Sequence, residues 1–157
     1  MLYLCLNMRP GDAEEIFITR ASVDPYVLFR EIMSARAYMP VFLSVRSSTS
    51  MSPAALFGVT QDGVGTASAY MFGTADLTPR AIAQIAAYVR NRVIPFMIEE
   101  GYHRVEAKTL ATYDHAHRFM QHAGARFESV VHGYGKNCED FHTYVWLKEE
   151  MKCANRK

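Results

Sequence analysis

The chain has 157 residues, half of them apolar and 21% charged, with 17 basic against 16 acidic residues and a net charge of +1. That is enough chain for one domain, 1–157, with its own core. No block of like charge is present, which argues against nucleic-acid or membrane-surface partners, since both require clustered Lys and Arg. Cys5, Cys138 and Cys153 lie far apart in no metal-like spacing, so they read as reduced thiols of a cytoplasmic protein.

Leu2–Met8 is apolar enough for a first strand, and Leu2–Leu6 is too short for a signal peptide or a membrane span. Pro10-Gly11 is a turn pair. Asp12, three residues before Glu15, has the spacing of a capping box and predicts a short helix running to about Arg20. Asp24-Pro25 is a helix start, with Asp as N-cap and Pro where its missing N–H costs nothing. Leu28, Phe29, Ile32 and Met33 form the inward face of that helix. Val41–Arg46 reads as a strand, and Ser47–Pro53 as a mobile loop. Ala54–Thr60 and Thr66–Gly73 are strands joined through Asp62-Gly63, which predicts an antiparallel meander.

Thr78-Pro79 starts an amphipathic helix carrying Ile82, Ile85, Ala86, Val89 and Val93 on one side. Pro95 is expected to kink it or end it near Arg92, and Gly101 closes the region. Arg104–Ala111 follows as a strand. Asp114–Ala123 is the next helix, with Asp114 as its natural N-cap and Gly124 as its end. Phe127–His132 and Phe141–Leu147 are a last pair of strands around the polar loop Gly133–Asp140, and Lys148–Lys157 is a charged tail expected to fray. The fold class is α/β, a mixed sheet flanked by helices.

With Glu100-Gly101-Tyr102 leading into Arg104-Val105-Glu106, Ala116 and Gly124 on the next helix and its end, and the loop His132–Asp140, the second half of this order resembles the GNAT N-acetyltransferase superfamily. Glu100-Gly101-Tyr102-His103-Arg104-Val105-Glu106 is similar to the family's entry into its fifth strand. Ala116, Gly124 and Phe127-Glu128 are similar to its motif-B helix and exit, and His132–Asp140 to its terminal hairpin. Gly63-Val64-Gly65 followed by Tyr70-Met71-Phe72-Gly73-Thr74 resembles small GNAT-like proteins of tailed phages, related to the internal virion proteins of short-tailed phages. The resemblance implies a GNAT-like acyl-CoA N-acyltransferase fold with a mostly antiparallel mixed sheet.

For the site, it implies acetyl-CoA held by the strand edge Tyr70, Met71, Phe72 and Gly73 and by the helix start at Arg80 and Ala83. Tyr113 stands in the slot where the motif-B helix usually begins with Asn. The family's phosphate signature combines glycines with free amides and the positive end of a helix. Here Ala83 and Ile85 stand in its two glycine slots, and Met120 stands where a Tyr protonates the leaving thiolate. Thr66–Thr74 lacks the carboxylate that many family members place in or near that strand.

No catalytic residue is assigned. None of the six histidines has metal-site spacing except a His132–His142 pairing across the last hairpin. Cys138 sits beside Glu139 and Asp140, which disfavours a thiolate, and Glu106 and Asp114 read as ion-pair and cap residues. Two functions follow from the resemblance. One is an acetyl-CoA-dependent N-acetyltransferase with a degenerate motif, acting on an amine acceptor. The other is a non-catalytic virion-associated or assembly protein that keeps only the fold and binds other virion or host proteins, in the host cytoplasm or in the particle.

Overall fold

The Asp62-Gly63 signal lies at the end of a long antiparallel hairpin. Strand β2, Pro53–Gly63, pairs with β3, Thr66–Gly73, from Ala55 opposite Gly73 to Gly63 opposite Thr66. Strand β1, Val41–Arg46, lies antiparallel to β2 on its other side. In this computed structural model, residues 1–47 and 50–150 are described. The centre of the loop expected over Ser47–Pro53 and the tail beyond residue 150 therefore lie outside the described residues, while 148–150 are helical.

The second half extends the same sheet. Strand β4, Arg104–Leu110, runs parallel to β3, and β6, Phe141–Leu147, runs antiparallel to β4. Strand β5, Arg126–Val131, pairs antiparallel with β6 and forms the edge, giving the order β1-β2-β3-β4-β6-β5. This is the mixed sheet that the element order predicted, and it is mostly antiparallel, as the resemblance implied.

Side-chain alternation along the strands builds two cores. Phe57 and Val59 of β2, Val105 and Ala107 of β4 and Trp146 of β6 join the main one. It lies beneath helix α4, Pro79–Tyr88, and helix α6, Asp114–His122. On the opposite face Leu56 and Phe72 pack with Leu4, Leu28 and Ile32. Those residues come from helix α1, Leu2–Leu6, and helix α3, Pro25–Ala35.

The two Pro-led starts form as expected. The Asp24 side chain accepts from Tyr26 N at 2.8 Å, and the Thr78 hydroxyl accepts from Ala81 N at 3.2 Å. Gly101 and Gly124, with φ of +95° and +80°, follow the helix ends in the left-handed region that suits glycine.

Four local expectations are corrected. Leu2–Leu6 is a helix, so the sheet has six strands and no N-terminal one. An unbroken apolar run does not distinguish strand from helix, and packing decides: Leu4 and Cys5 turn inward while Tyr3 and Leu6 stay exposed. Met33, at 38% exposure, sits at the rim of its helix face and not inside it. The helix after Thr78 does not stop near Arg92. A π-helical turn, Val89–Val93, carries it into α5, Ile94–Glu99, and Pro95 falls in the first turn of α5, where a missing N–H is tolerated. Asp114 is the first residue of α6 and not its cap, since Tyr113 holds the N-cap position.

The end of α6 is fixed from the sheet. Trp146 Nε1 donates to Ala123 O at 2.9 Å, and both residues are buried. Trp146→Phe leaves that carbonyl without its donor in an apolar setting, and is expected to cost about 1–3 kcal/mol in urea denaturation.

Candidate functional site: a split sheet bridged by two carboxylates

Strands β3 and β4 pair only from Thr66 opposite Arg104 to Ser68 opposite Glu106. Beyond that point β3 continues to Gly73 and β4 to Leu110, without pairing to each other. Near the start of β3, Gly65 O accepts from His103 N at 2.9 Å. At its end, Gly73 N donates to a side chain across the gap. Since backbone groups alternate along a strand, Met71, in step with both, turns its N–H and C=O into the split.

The split opens into a cleft of about 880 Å³, within the range of small-molecule sites. Pro79, Ile82 and Ala83 of α4 and Ala116, Phe119 and Met120 of α6 wall one side. Helix α2, Pro10–Phe17, contributes Asp12, Glu15 and Ile16 to another. At the start of α4, Ala81 N is taken by the Thr78 hydroxyl and Ile82 N by Thr78 O. The amide of Arg80 remains at the exposed helix end, where the dipole favours an anion.

Helix α2 is where the structure departs furthest from the sequence reading. Its N-cap is Arg9, it ends at Phe17, and Asp12 lies within its first turn, so Asp12 and Glu15 form no capping box. Three residues apart, they share one helix face, and that face lies across the split. Asp12, 5% exposed, accepts from Gly73 N of β3 at 2.7 Å and from the Tyr113 hydroxyl at 2.7 Å. Arg9 completes the set with Nε and Nη2, at 2.8–3.0 Å. Glu15 accepts through Oε2 from Leu110 N of β4 at 2.9 Å and from the Thr109 hydroxyl. A Cβ on Gly11 would come within 2.8 Å of the Tyr113 ring, so α2 lies directly against that tyrosine.

Burial pushes the Glu15 carboxyl above its usual range, against the two hydrogen bonds from β4, and the neighbouring Asp12 adds to the rise. Burial and the hydrogen bond to Asp12 push the Tyr113 phenol up as well. Tyr70 is raised to about 12, chiefly by burial.

Of the residues that the resemblance assigned to acetyl-CoA, Tyr70, Met71, Ala83 and Tyr113 line the cleft together. Phe72 is buried in the core under α1 and α3, and Gly73 reaches the site through its amide. Arg80 is exposed at the helix start, outside the lining. Ile85, 8% exposed, belongs to the main core and stays out of the cleft. Met120 does face it.

The His132–His142 pairing does not form: His132 pairs with Asp140 at 2.9 Å, and the His142 ring lies 4.7 Å from that of His117. His117 is itself held between Ala111 O at 3.0 Å and the Tyr144 hydroxyl at 3.1 Å. Among the described residues no group of three or more His, Cys, Asp or Glu gathers as a metal site. Cys138 is exposed, and Glu106 forms ion pairs with Arg104 and Lys108. No helix among the described residues is long and apolar enough to cross a membrane.

Sequence reasoning missed Asp12 and Glu15 because their spacing also satisfies a common helix-start signal. The only distinguishing sign was the Arg9-Pro10 that precedes them, with Pro at the first helical position and so placing the N-cap at Arg9.

No protein-family model matches the chain, and no curated protein does. Solved structures do. A probable acetyltransferase of the GNAT family from Chromobacterium violaceum matches with a TM-score of 0.66 at 15% identity, over 90% of this chain and 73% of that one. Ribosomal-protein-alanine N-acetyltransferase from Brucella melitensis matches with 0.66 at 10% identity, over 86% of each chain. A Bacillus subtilis acetyltransferase in complex with CoA matches with 0.58 at 12% identity, over 75% of this chain and 82% of that one. The fold is that of the GNAT acetyltransferases.

Two outcomes test the bridge. Asp12→Ala removes a buried acceptor from Gly73, Tyr113 and Arg9, and is expected to cost about 3 kcal/mol or more in urea denaturation. Glu15 should make stability fall with rising pH. Its carboxyl binds a proton more tightly folded than unfolded, so its contribution is full below the unfolded value of 4.5 and is lost as pH rises through the higher folded value. Glu15→Gln should flatten that decline in urea midpoints measured from pH 4 upward.

Proposed function

We propose that this protein is an acyl-CoA-dependent N-acyltransferase, with acetyl-CoA as donor and an amine as acceptor. The observation that carries the reading is the separation of β3 from β4 beyond Ser68 and Glu106, with a cleft opening beside the start of α4. The residues present fit such a donor. Met71 offers its backbone N–H and C=O to the amide-bearing arm, much as a neighbouring strand would. The amide of Arg80 and the start of α4 suit the phosphates, worth roughly 0.3–1 kcal/mol from the dipole for an exposed anion. Neither glycine of the family signature is needed for access here. Ala83 adds one methyl at the cleft wall, and Ile85 points into the core. Bound there, acetyl-CoA would supply an activated acyl group to an amine entering from the α2 side.

A second reading is favoured by one observation: Asp12 and Glu15 already occupy the amides of Gly73 and Leu110 at the mouth of the split. In that reading the fold serves as a binding or assembly module whose cleft mouth is closed by α2. The virion setting implied by the resemblance around Gly63–Thr74, with virion or host proteins as partners, would belong to it.

Acetyl-CoA added at 100 times its Kd should stabilise the fold by about 2.7 kcal/mol, read as a rise in Tm. Ala83→Glu, which sets a carboxylate at the cleft wall near the helix start, should weaken binding by about tenfold, which is 1.4 kcal/mol. A Tm that does not move with millimolar acetyl-CoA would sink the transferase reading and leave the second.

A further inference from the structure

An amine that attacks a thioester must first lose a proton, because at neutral pH an ordinary aliphatic amine is an ammonium ion. Strand β3 carries no carboxylate to receive it. The cleft has two from α2, and their surroundings differ.

Both oxygens of Asp12 are engaged, Oδ1 by Tyr113 and Arg9, Oδ2 by Gly73 N and Arg9. With its charge met by Arg9 and its residue 5% exposed, Asp12 has no free oxygen to offer. Glu15 is held at one oxygen only. Oε2 accepts from Thr109 and Leu110, which fixes the carboxylate to the free end of β4. Oε1 accepts from no donor among the described residues and is not sealed off from solvent, and the residue lines the cleft. Among other cleft residues, Lys108 is paired with Glu106 and Tyr113 donates its proton to Asp12.

We propose that Glu15 is the proton acceptor of this site, taking a proton through Oε1 from the ammonium group of the acceptor. The proposal rests on the acyltransferase reading above. In the step, an N–H bond breaks and an O–H bond forms on Oε1. The freed amine lone pair forms the C–N bond as the C–S bond breaks; the acylated nitrogen then loses its second proton to the leaving thiolate, giving the free thiol, and Glu15 passes the first proton to solvent. Nothing else is consumed.

The surroundings suit the role. Burial and Asp12 raise the carboxyl toward the range where a proton acceptor works at neutral pH, while Thr109 and Leu110 of β4 oppose the rise. Tyr113, ahead of α6, is the further titratable group coupled to it. Besides Asp12 and Tyr113, the charged and titratable side chains that share the cleft are Arg9, Arg20, Tyr70, Lys108, His115, Arg118, His122 and Tyr134.

Glu15→Gln keeps the shape and the acceptor toward Thr109 and Leu110 but cannot take a proton. The test measures thiol release from acetyl-CoA with two probes: ethylamine, an ammonium ion at neutral pH, and hydroxylamine, which is already unprotonated there. With ethylamine the variant should be slower by about 10²–10⁴-fold and lose the acid limb of its pH–rate profile. With hydroxylamine the rate, and the Tm shift with acetyl-CoA, should stay within a few-fold of the parent. A ¹³C NMR titration should show a carboxyl with a raised midpoint that is missing from the variant. Equal losses with both amines, no loss with ethylamine, no thiol release by a parent that binds acetyl-CoA, or an ordinary midpoint for Glu15 each overturn the proposal while leaving cofactor binding intact. Failure of the parent to bind acetyl-CoA overturns the transferase reading itself, and the proposal with it.

Discussion

Two carboxylates from α2 terminate a pair of strands that do not terminate each other. In an ordinary parallel pair the amides of Gly73 and Leu110 would be satisfied along the ladder. Here the ladder ends at Ser68 and Glu106, and buried amides beyond it must find other partners. Asp12 takes Gly73 N and Glu15 takes Leu110 N, so the strands can part without leaving buried donors unmet. Between the paired start and the bridged end, the edge at Met71 stays open. The cleft, the position of α2 and the burial of Glu15 all follow from that arrangement.

The rest of the molecule holds the two edges apart. Helices α4 and α6 leave from the diverging strand ends and pack over the main core, with Val89, Ile94 and Met97 beneath and Trp146 bonded to the end of α6. On the other face α1 and α3 close over Leu56 and Phe72. Helix phase then decides which side chains meet the cleft. Ala83 and Ile85 are two residues apart and therefore point to different sides, one to the cleft and one to the core. Reading both as members of one linear signature hides that difference.

Much of the fold was legible from local signals. Strand and helix periodicities, the Asp-Pro and Thr-Pro starts and the glycine ends each depend on neighbours a few residues away. The exceptions share a cause. Leu2–Leu6 has no periodicity to read, Pro95 follows a wide turn that no local rule announces, and Asp12–Glu15 fits two roles equally well at the level of spacing.

The sequence by itself determined the order of elements, their amphipathic faces and the helix start at Thr78-Pro79, because backbone propensity and side-chain period act over short range. Tertiary structure alone decided that β3 and β4 part company after three residue pairs and that α2 lies across the gap. It also decided that Glu15, on the second turn of a short helix, is bonded to Thr109 and Leu110 some 94 and 95 residues away. Those contacts join residues far apart in the chain, and the energy that holds them, the need to satisfy buried amides and a buried carboxylate, exists only once the sheet and its helices have closed around them.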